Sequence, residues 1–207
     1  MKARPFFLPS LLISAALWLL AGTGCNVIPT SLPDATRYYV LTTTPAKPAT
    51  APAAPHWRVS LRPVEVPSFL RGKAMQVRQA GNEIHYAEDA RWAESLEAGL
   101  SRVLRESLDD RGEIGRVVAS PGEDHDFEIA VRLLRCEGDR EAKVARFSAV
   151  VEIYPPGAGT ERRARDIFTT EIPGWDGSYG QLALKLSEAA DGLADRIATM
   201  VATAGQK

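Results

Sequence analysis

The sequence predicts an α+β fold, a two-layer sandwich of a mostly antiparallel β-sheet with two amphipathic helices on one face. Period-two alternation recurs in several separate runs, as half-buried strands require. Two long segments instead place their apolar residues at three- and four-residue steps, which gives each helix a single apolar stripe. A one-faced helix must lie against something apolar, and the sheet is the partner this chain offers.

The elements follow in order. Arg37–Thr44, RYYVLTTT, is rich in aromatic and β-branched residues and reads as a strand. Residues 45–55, PAKPATAPAAP, form a Pro/Ala-rich loop that favours extended geometry and buries no core. In Trp57–Val66 the side chains of Trp57, Val59 and Leu61 point one way and those of Arg58, Ser60 and Arg62 the other. Pro63 and Pro67 bracket its end and argue for an edge or a bulge. Met75–Gln79, a turn at Gly81–Asn82 and Glu83–Ala87 make a hairpin. Asp89 is the predicted N-cap of a helix running to Leu108, with Trp92, Leu96, Leu100, Val103, Leu104 and Leu108 on its apolar stripe and Gly112 as a stop signal.

Ile114–Ala119 reads as a short strand. Phe127, Ile129, Val131 and Leu133 alternate inward along the next, and Ala145, Phe147, Ala149, Val151 and Ile153 along Val144–Tyr154. Arg162–Ile172 returns as a hairpin partner, so these strands predict an antiparallel meander. The last helix opens on a Ser-x-x-Gln capping box, Ser178 to Gln181, and carries Leu182, Leu186, Ala190, Leu193, Ile197 and Val201 on one side.

The amino-terminal region has its own logic. Lys2 and Arg4 precede a mostly apolar run from Phe6 to Leu20, and small residues from Ala21 to Gly24 lead to Cys25. That is the layout of a secretory signal over residues 1–24, cleaved after Gly24. The alternative, a retained span, needs about 20 consecutive apolar residues, and this run is shorter and contains Pro9. A cysteine just after such a zone resembles the lipobox of bacterial lipoproteins. That resemblance implies a diacylglycerol on the Cys25 thiol and an acyl chain on its new amino terminus, with Asn26 favouring the outer membrane. Several acyl chains hold a protein stably where one does so only marginally. Gly22 stands where a typical lipobox has an aliphatic residue, and ordinary cleavage after Thr23 or Gly24 with release of a soluble protein is the competing reading. Residues 25–36 then form a tether, and residues 37–203 a single α+β domain.

Without residues 1–24 the chain keeps 183 residues with 23 Lys and Arg against 26 Asp and Glu, a net charge of −3. This is not the basic footprint of a nucleic-acid binder, and no nucleic-acid partner is expected. The second cysteine, Cys136, reads as a small residue at a strand end. A Cys25–Cys136 bridge is open only if Cys25 is not lipidated.

Chemistry is sparse. The sequence has no GxSxG elbow, P-loop, GxGxxG or HExxH. In DGSYG (Asp176–Gly180), Ser178 is better explained as a helix cap. Glu123–Asp126, EDHD, gathers three carboxylates around His125, but adjacent residues seldom converge on one ion without a shaped loop, so it reads as a solvated acidic turn. Asp109–Asp110 oppose the helix dipole, which a frayed end explains. No catalytic residue, metal or cofactor is expected beyond the acyl chains on Cys25.

RYYVL, LRPVEVPSFLRGKAMQVR (Leu61–Arg78) and RWAESLEAGLSRVL (Arg91–Leu104) together resemble the PqiC/YmbA family of ABC-type transport auxiliary lipoproteins. The shared pattern falls on Tyr38, Tyr39 and Leu41; on Val64, Val66, Pro67, Phe69 and Leu70; on Val77 and Arg78; and on Trp92, Ala93, Glu94 and Leu96. The chain departs from it at Phe69, where Tyr is common, and at Gly72–Ala74. The resemblance implies a non-enzymatic adaptor in the periplasm, held at the outer membrane by its lipid. Its implied partner is an MCE-domain protein of an ABC transporter that moves lipids between membranes. It also implies a homo-oligomeric ring matching a symmetric MCE tube. Tyr38, Tyr39, Phe69, Leu70 and Trp175 are the partner-contact candidates. Phe69 and Leu70 read either as core or as an exposed anchor, Trp92 as core, and Trp175 as an exposed aromatic. Two other classes remain as alternatives: a lipoprotein that binds a small apolar ligand or lipid on its own, and an envelope hydrolase.

Overall fold

The computed structural model describes residues 34–43, 57–119, 122–157 and 161–206. The chain divides into residues 1–34 and a compact unit from Ala35 onward, and only the second is described here. The signal segment, Gly24, Cys25, the tether to residue 33 and the Pro/Ala-rich loop lie outside the described residues.

The spine of the fold is its longest strand. Eight strands form one open sheet: β1 (Arg37–Tyr39), β2 (Trp57–Leu61), β3 (Ala74–Arg78), β4 (Ile84–Trp92), β5 (Ile114–Val118), β6 (Phe127–Asp139), β7 (Val144–Tyr154) and β8 (Ala164–Pro173). On one side β6 pairs antiparallel with β7, and β7 with β8, as the meander requires. On its other side β6 is flanked by two shorter strands, both parallel to it. β2 lies beside its start, with Val59 opposite Phe127, and β3 beside its end, with Val77 opposite Gly138. An isolated bridge joins Glu65 to Arg132 between them. β5 extends the sheet from β2, and β4 and then β1 extend it from β3. The long ladders are antiparallel, and the parallel ones are short.

β2 and β3 are thus two halves of one interrupted strand. Arg62 and Glu65 still donate their N–H groups to Ile129 and Val131 of β6, but Pro63 and Pro67 have no N–H to give. The chain leaves β6 after Glu65, re-enters the sheet at Ala74 beside β4, and meets β6 again at Val77. The prolines mark this excursion inside the sheet, because β2 is paired on both sides.

Both helices, α1 (Leu96–Asp109) and α2 (Tyr179–Ala204), pack on one face of the sheet and against each other. The predicted start of α1 needs correction. β4 runs on through Asp89 to Trp92, so Asp89 is an exposed strand residue. The N-cap is Ser95, whose Oγ accepts the Ala98 N–H at 3.2 Å. Trp92 is core, 3% exposed, but at the end of a strand. The acidic end of α1 has a structural explanation: the Asp109 carboxylate accepts the Val117 N–H of β5 at 2.7 Å. Ser178 caps α2 as expected, accepting the Gln181 N–H. Gln181 reaches back two residues further than a capping box does and accepts the Asp176 N–H. Leu182, Leu186, Leu193, Ile197 and Val201 of α2 are fully buried against Phe147, Ile129 and Ile153 of the sheet, in one continuous core.

Candidate partner-contact surface

The excursion between β2 and β3 builds the first part of the surface. Pro67 is extended (φ −64°, ψ 153°) and leads into a single 3₁₀ turn, Ser68–Leu70. Leu70 and Arg71 close that turn by donating their N–H groups to Pro67 and Ser68 at 2.9 and 3.2 Å. Arg71 Nε bonds back to the Val66 carbonyl. A turn this tight sends successive side chains in different directions. Leu70 enters the core with no exposed area, whereas Phe69 remains 40% exposed. The Phe69 carbonyl accepts two hydrogen bonds, from the buried Gln76 Nε2 at 3.0 Å and from the Tyr86 hydroxyl at 3.2 Å. Tyr86, on β4, is itself 44% exposed. Tyr86 is therefore joined to the turn through the Phe69 backbone, and both aromatic side chains stay partly exposed. Behind the turn lies a cleft of about 380 Å³ lined by Val64, Val66, Pro67, Glu97, Arg132 and Leu133.

The second part is the amino-terminal strap. β1 pairs parallel with β4, Tyr38 opposite Arg91 and Tyr39 opposite Trp92, and the Tyr39 carbonyl accepts the Ala93 N–H. Tyr38 faces solvent at 62% exposure. Tyr39 is half-buried against the core, beside Gly180 at the start of α2. Leu41 then drops between the helices: its carbonyl accepts Arg102 of α1 at 2.8 Å, and the next N–H, of Thr42, donates to Ser187 of α2 at 3.0 Å. Arg102 also pairs with Glu94 at 2.7 Å, which raises the arginine pKa further.

Trp175 is a correction. It is 2% exposed, its Nε1 donates to the Ser178 carbonyl at 2.7 Å, and its ring lies against Gly138 of β6. Neither Trp175 nor Leu70 offers an exposed contact, so the candidates left at the surface are Tyr38 and Phe69, with Tyr39 partly covered. Sequence reasoning missed Tyr86, Val40, Ile167 and Leu184, all exposed apolar or aromatic residues. For Tyr86 a signal existed, since alternation puts it on the same strand face as Glu88. The motif residue Arg78 is structural: it forks onto Glu137, a carboxylate with no exposed area, at 2.7 and 3.2 Å.

The EDHD turn closes on β2. Arg58 bonds Asp124 at 2.9 Å and gives its N–H to Asp126, while His125 turns inward and its Nδ1 meets the Glu123 carbonyl. Among the described residues, no three His, Cys, Asp or Glu side chains are grouped to hold a metal ion. Cys136 is buried in β6, and burial together with the neighbouring Glu137 pushes its thiol pKa up to about 12. Among the described residues, no helix is long and apolar enough to cross a membrane.

The helix-backed sheet thus presents aromatic side chains on a tight turn, on β4 and on an edge strand, and aromatic residues are enriched at interfaces. The chain belongs to the family of ABC-type transport auxiliary lipoprotein components, whose family model matches residues 39–198. That family comprises lipoprotein subunits of transporters, and so membrane-attached accessory proteins. The fold is similar to that of protein XCC0632 from Xanthomonas campestris, described as family DUF330. The TM-score is 0.72 at 17% identity over 83% of this chain and 97% of that one. It is also similar to an uncharacterized protein of known structure, with a TM-score of 0.66 at 16% identity over 79% and 97% of the two chains. Among curated proteins no relative matches.

Proposed function

We propose that this chain is the non-enzymatic adaptor of an ABC transporter that moves lipid between the inner and outer membranes, held at the periplasmic face of the outer membrane. In this reading the signal is cut after Gly24, Cys25 carries the acyl chains, and the domain docks an MCE-domain protein of the transporter. The observation that carries the reading is membership of the transport auxiliary family over residues 39–198. Its geometric support is the exposure of Phe69 on the excursion and of Tyr86 on β4, whose hydroxyl bonds the Phe69 carbonyl. Rigid, exposed aromatics supply contact area with little further ordering on binding, and aromatic residues are enriched at interfaces. An adaptor also fits the packing better than a solitary carrier does. The helices close directly onto the sheet, and Leu186, Leu193 and Ile197 have no exposed area.

Co-purification of the full chain with the MCE protein from detergent-solubilised envelopes is the test. The combined Phe69→Ala and Tyr86→Ala substitution is expected to reduce recovery at least severalfold, with the thermal midpoint little changed. Cys25→Ser is expected to move the chain out of the membrane fraction. Full recovery by the aromatic variant would remove this surface from the docking account. A Cys25→Ser protein that still sediments with membranes would remove the lipid anchor.

A further inference from the structure

β8 is the outermost strand of its side of the sheet. Among the described residues it pairs with β7 and with no other strand, so ten residues of backbone line an open edge. Proteins guard such edges with charges, prolines, bulges or covering loops. Here the guards sit near the ends: Arg165 and Asp166 at one, Glu171 and Pro173 at the other. Between them Ile167-Phe168-Thr169-Thr170 carries no charge and no proline, and the β7–β8 register runs without a bulge. Ile167 is 52% exposed.

The edge is complementary to itself. In an antiparallel pair about a two-fold axis at Phe168, residues equidistant from Phe168 face each other. Arg165 then lies opposite Glu171 of the second copy, and Ile167 opposite Thr169. Arg165 and Glu171 point to the same sheet face, with side chains 43% and 53% exposed, and each has room to accept a second partner beyond Glu152 and Arg146. A one-residue slip would set opposite faces against each other.

The helix layer permits the approach. α2 runs antiparallel to β8, as shown by Arg196 bonding Asp166, Gly192 lying over Phe168 and Lys185 bonding the Pro173 carbonyl. The residue of α2 over the axis is therefore Gly192, which lets the helix lie close on Phe168.

We propose that β8 is the docking edge for a second copy of this chain, the two sheets joining across a two-fold axis at Phe168. The contact uses the same patch on both copies, so it closes at two and does not by itself build a ring.

The test is the mass of the full-length chain in detergent, by light scattering and native mass spectrometry over a concentration series. The parent chain is expected to form dimers. Arg165→Glu or Glu171→Arg alone sets like charges opposite each other twice per dimer and is expected to weaken dimerisation by about tenfold. The double variant is expected to restore it. Ile167→Lys, at an exposed position, is expected to abolish it, with far-ultraviolet circular dichroism showing each variant folded. The proposal is overturned by a parent chain that stays monomeric, by a dimer indifferent to these substitutions, by single variants that the double fails to rescue, or by an edge that captures only a strand of another protein.

Discussion

Gly138→Ala tests the packing of Trp175 on the central strand. A Cβ at this position would lie 2.6 Å from two ring carbons of Trp175 and 3.1 Å from a third. Carbon atoms prefer separations of about 3.5–4.0 Å, so the ring would have to retreat by about 1 Å. It is poorly placed to do so. Its Nε1 is bonded to the Ser178 carbonyl at 2.7 Å and its backbone N–H to the Lys143 carbonyl at 3.0 Å. Overpacking of this kind costs about 1–3 kcal/mol, while replacing a strand glycine by alanine returns about 0.5–1 kcal/mol of chain entropy. The net expectation is a destabilisation of about 1–2 kcal/mol, read as a lower urea midpoint at unchanged slope. Trp175→Leu removes the obstructing ring, so in the double variant the alanine should become neutral or favourable, a coupling of about 1 kcal/mol or more. A Gly138→Ala protein as stable as its parent would mean that Trp175 does not lie on β6.

Ser95→Ala should destabilise the protein by about 1 kcal/mol through loss of the α1 cap, whereas Asp89→Ala should leave the urea midpoint unchanged. The reverse order would restore the earlier helix start. Cys136, buried and with its thiol pKa near 12, should resist iodoacetamide at neutral pH and react only once the chain is unfolded. Rapid labelling of native protein would place it at the surface. Hydrogen bonding to Arg196 holds the Asp166 carboxyl below its usual pKa range, against a smaller opposing effect of burial. The folded value is lower than the unfolded one, so the unfolded chain takes up the proton first. The pair's contribution is present above about pH 4 and is lost as pH falls through the folded value. At 34% and 47% side-chain exposure it should amount to about 0.5 kcal/mol or less. Asp166→Asn should therefore lower stability at pH 7 by that small amount, leave it unchanged below the folded value, and so flatten the acid limb of the stability curve slightly.

The layers, the meander and both apolar stripes are legible in the sequence because each is a local periodicity. What escapes is non-local. Asp89 and Ser95 are both acceptable caps, and Trp92 extends the stripe of α1 by one step. Only the pairing of β4 with β1 and β3 keeps Asp89 to Trp92 extended. Trp175 sits among Pro, Gly and Asp, a composition that signals surface, and the glycine that makes room for its ring is far away in sequence. Within Ser68–Leu70, alternation cannot say which of two adjacent apolar residues turns inward, because a 3₁₀ turn has no alternation. The proposed lipid attachment, by contrast, rests wholly on the local sequence around Cys25.

The broken strand leaves the fold and the contact loop free to evolve separately. The Val66–Lys73 excursion is moored at its start to β6, through Glu65, and at its end to β4, through Lys73 and Ala74, so both its ends are fixed by strands outside it. Inside the loop the ties to the fold are the Leu70 side chain and the Phe69 carbonyl, which uses backbone and not side-chain identity. The outward-facing side chains of this loop, Phe69 foremost, can therefore change in descent while the sheet is inherited intact.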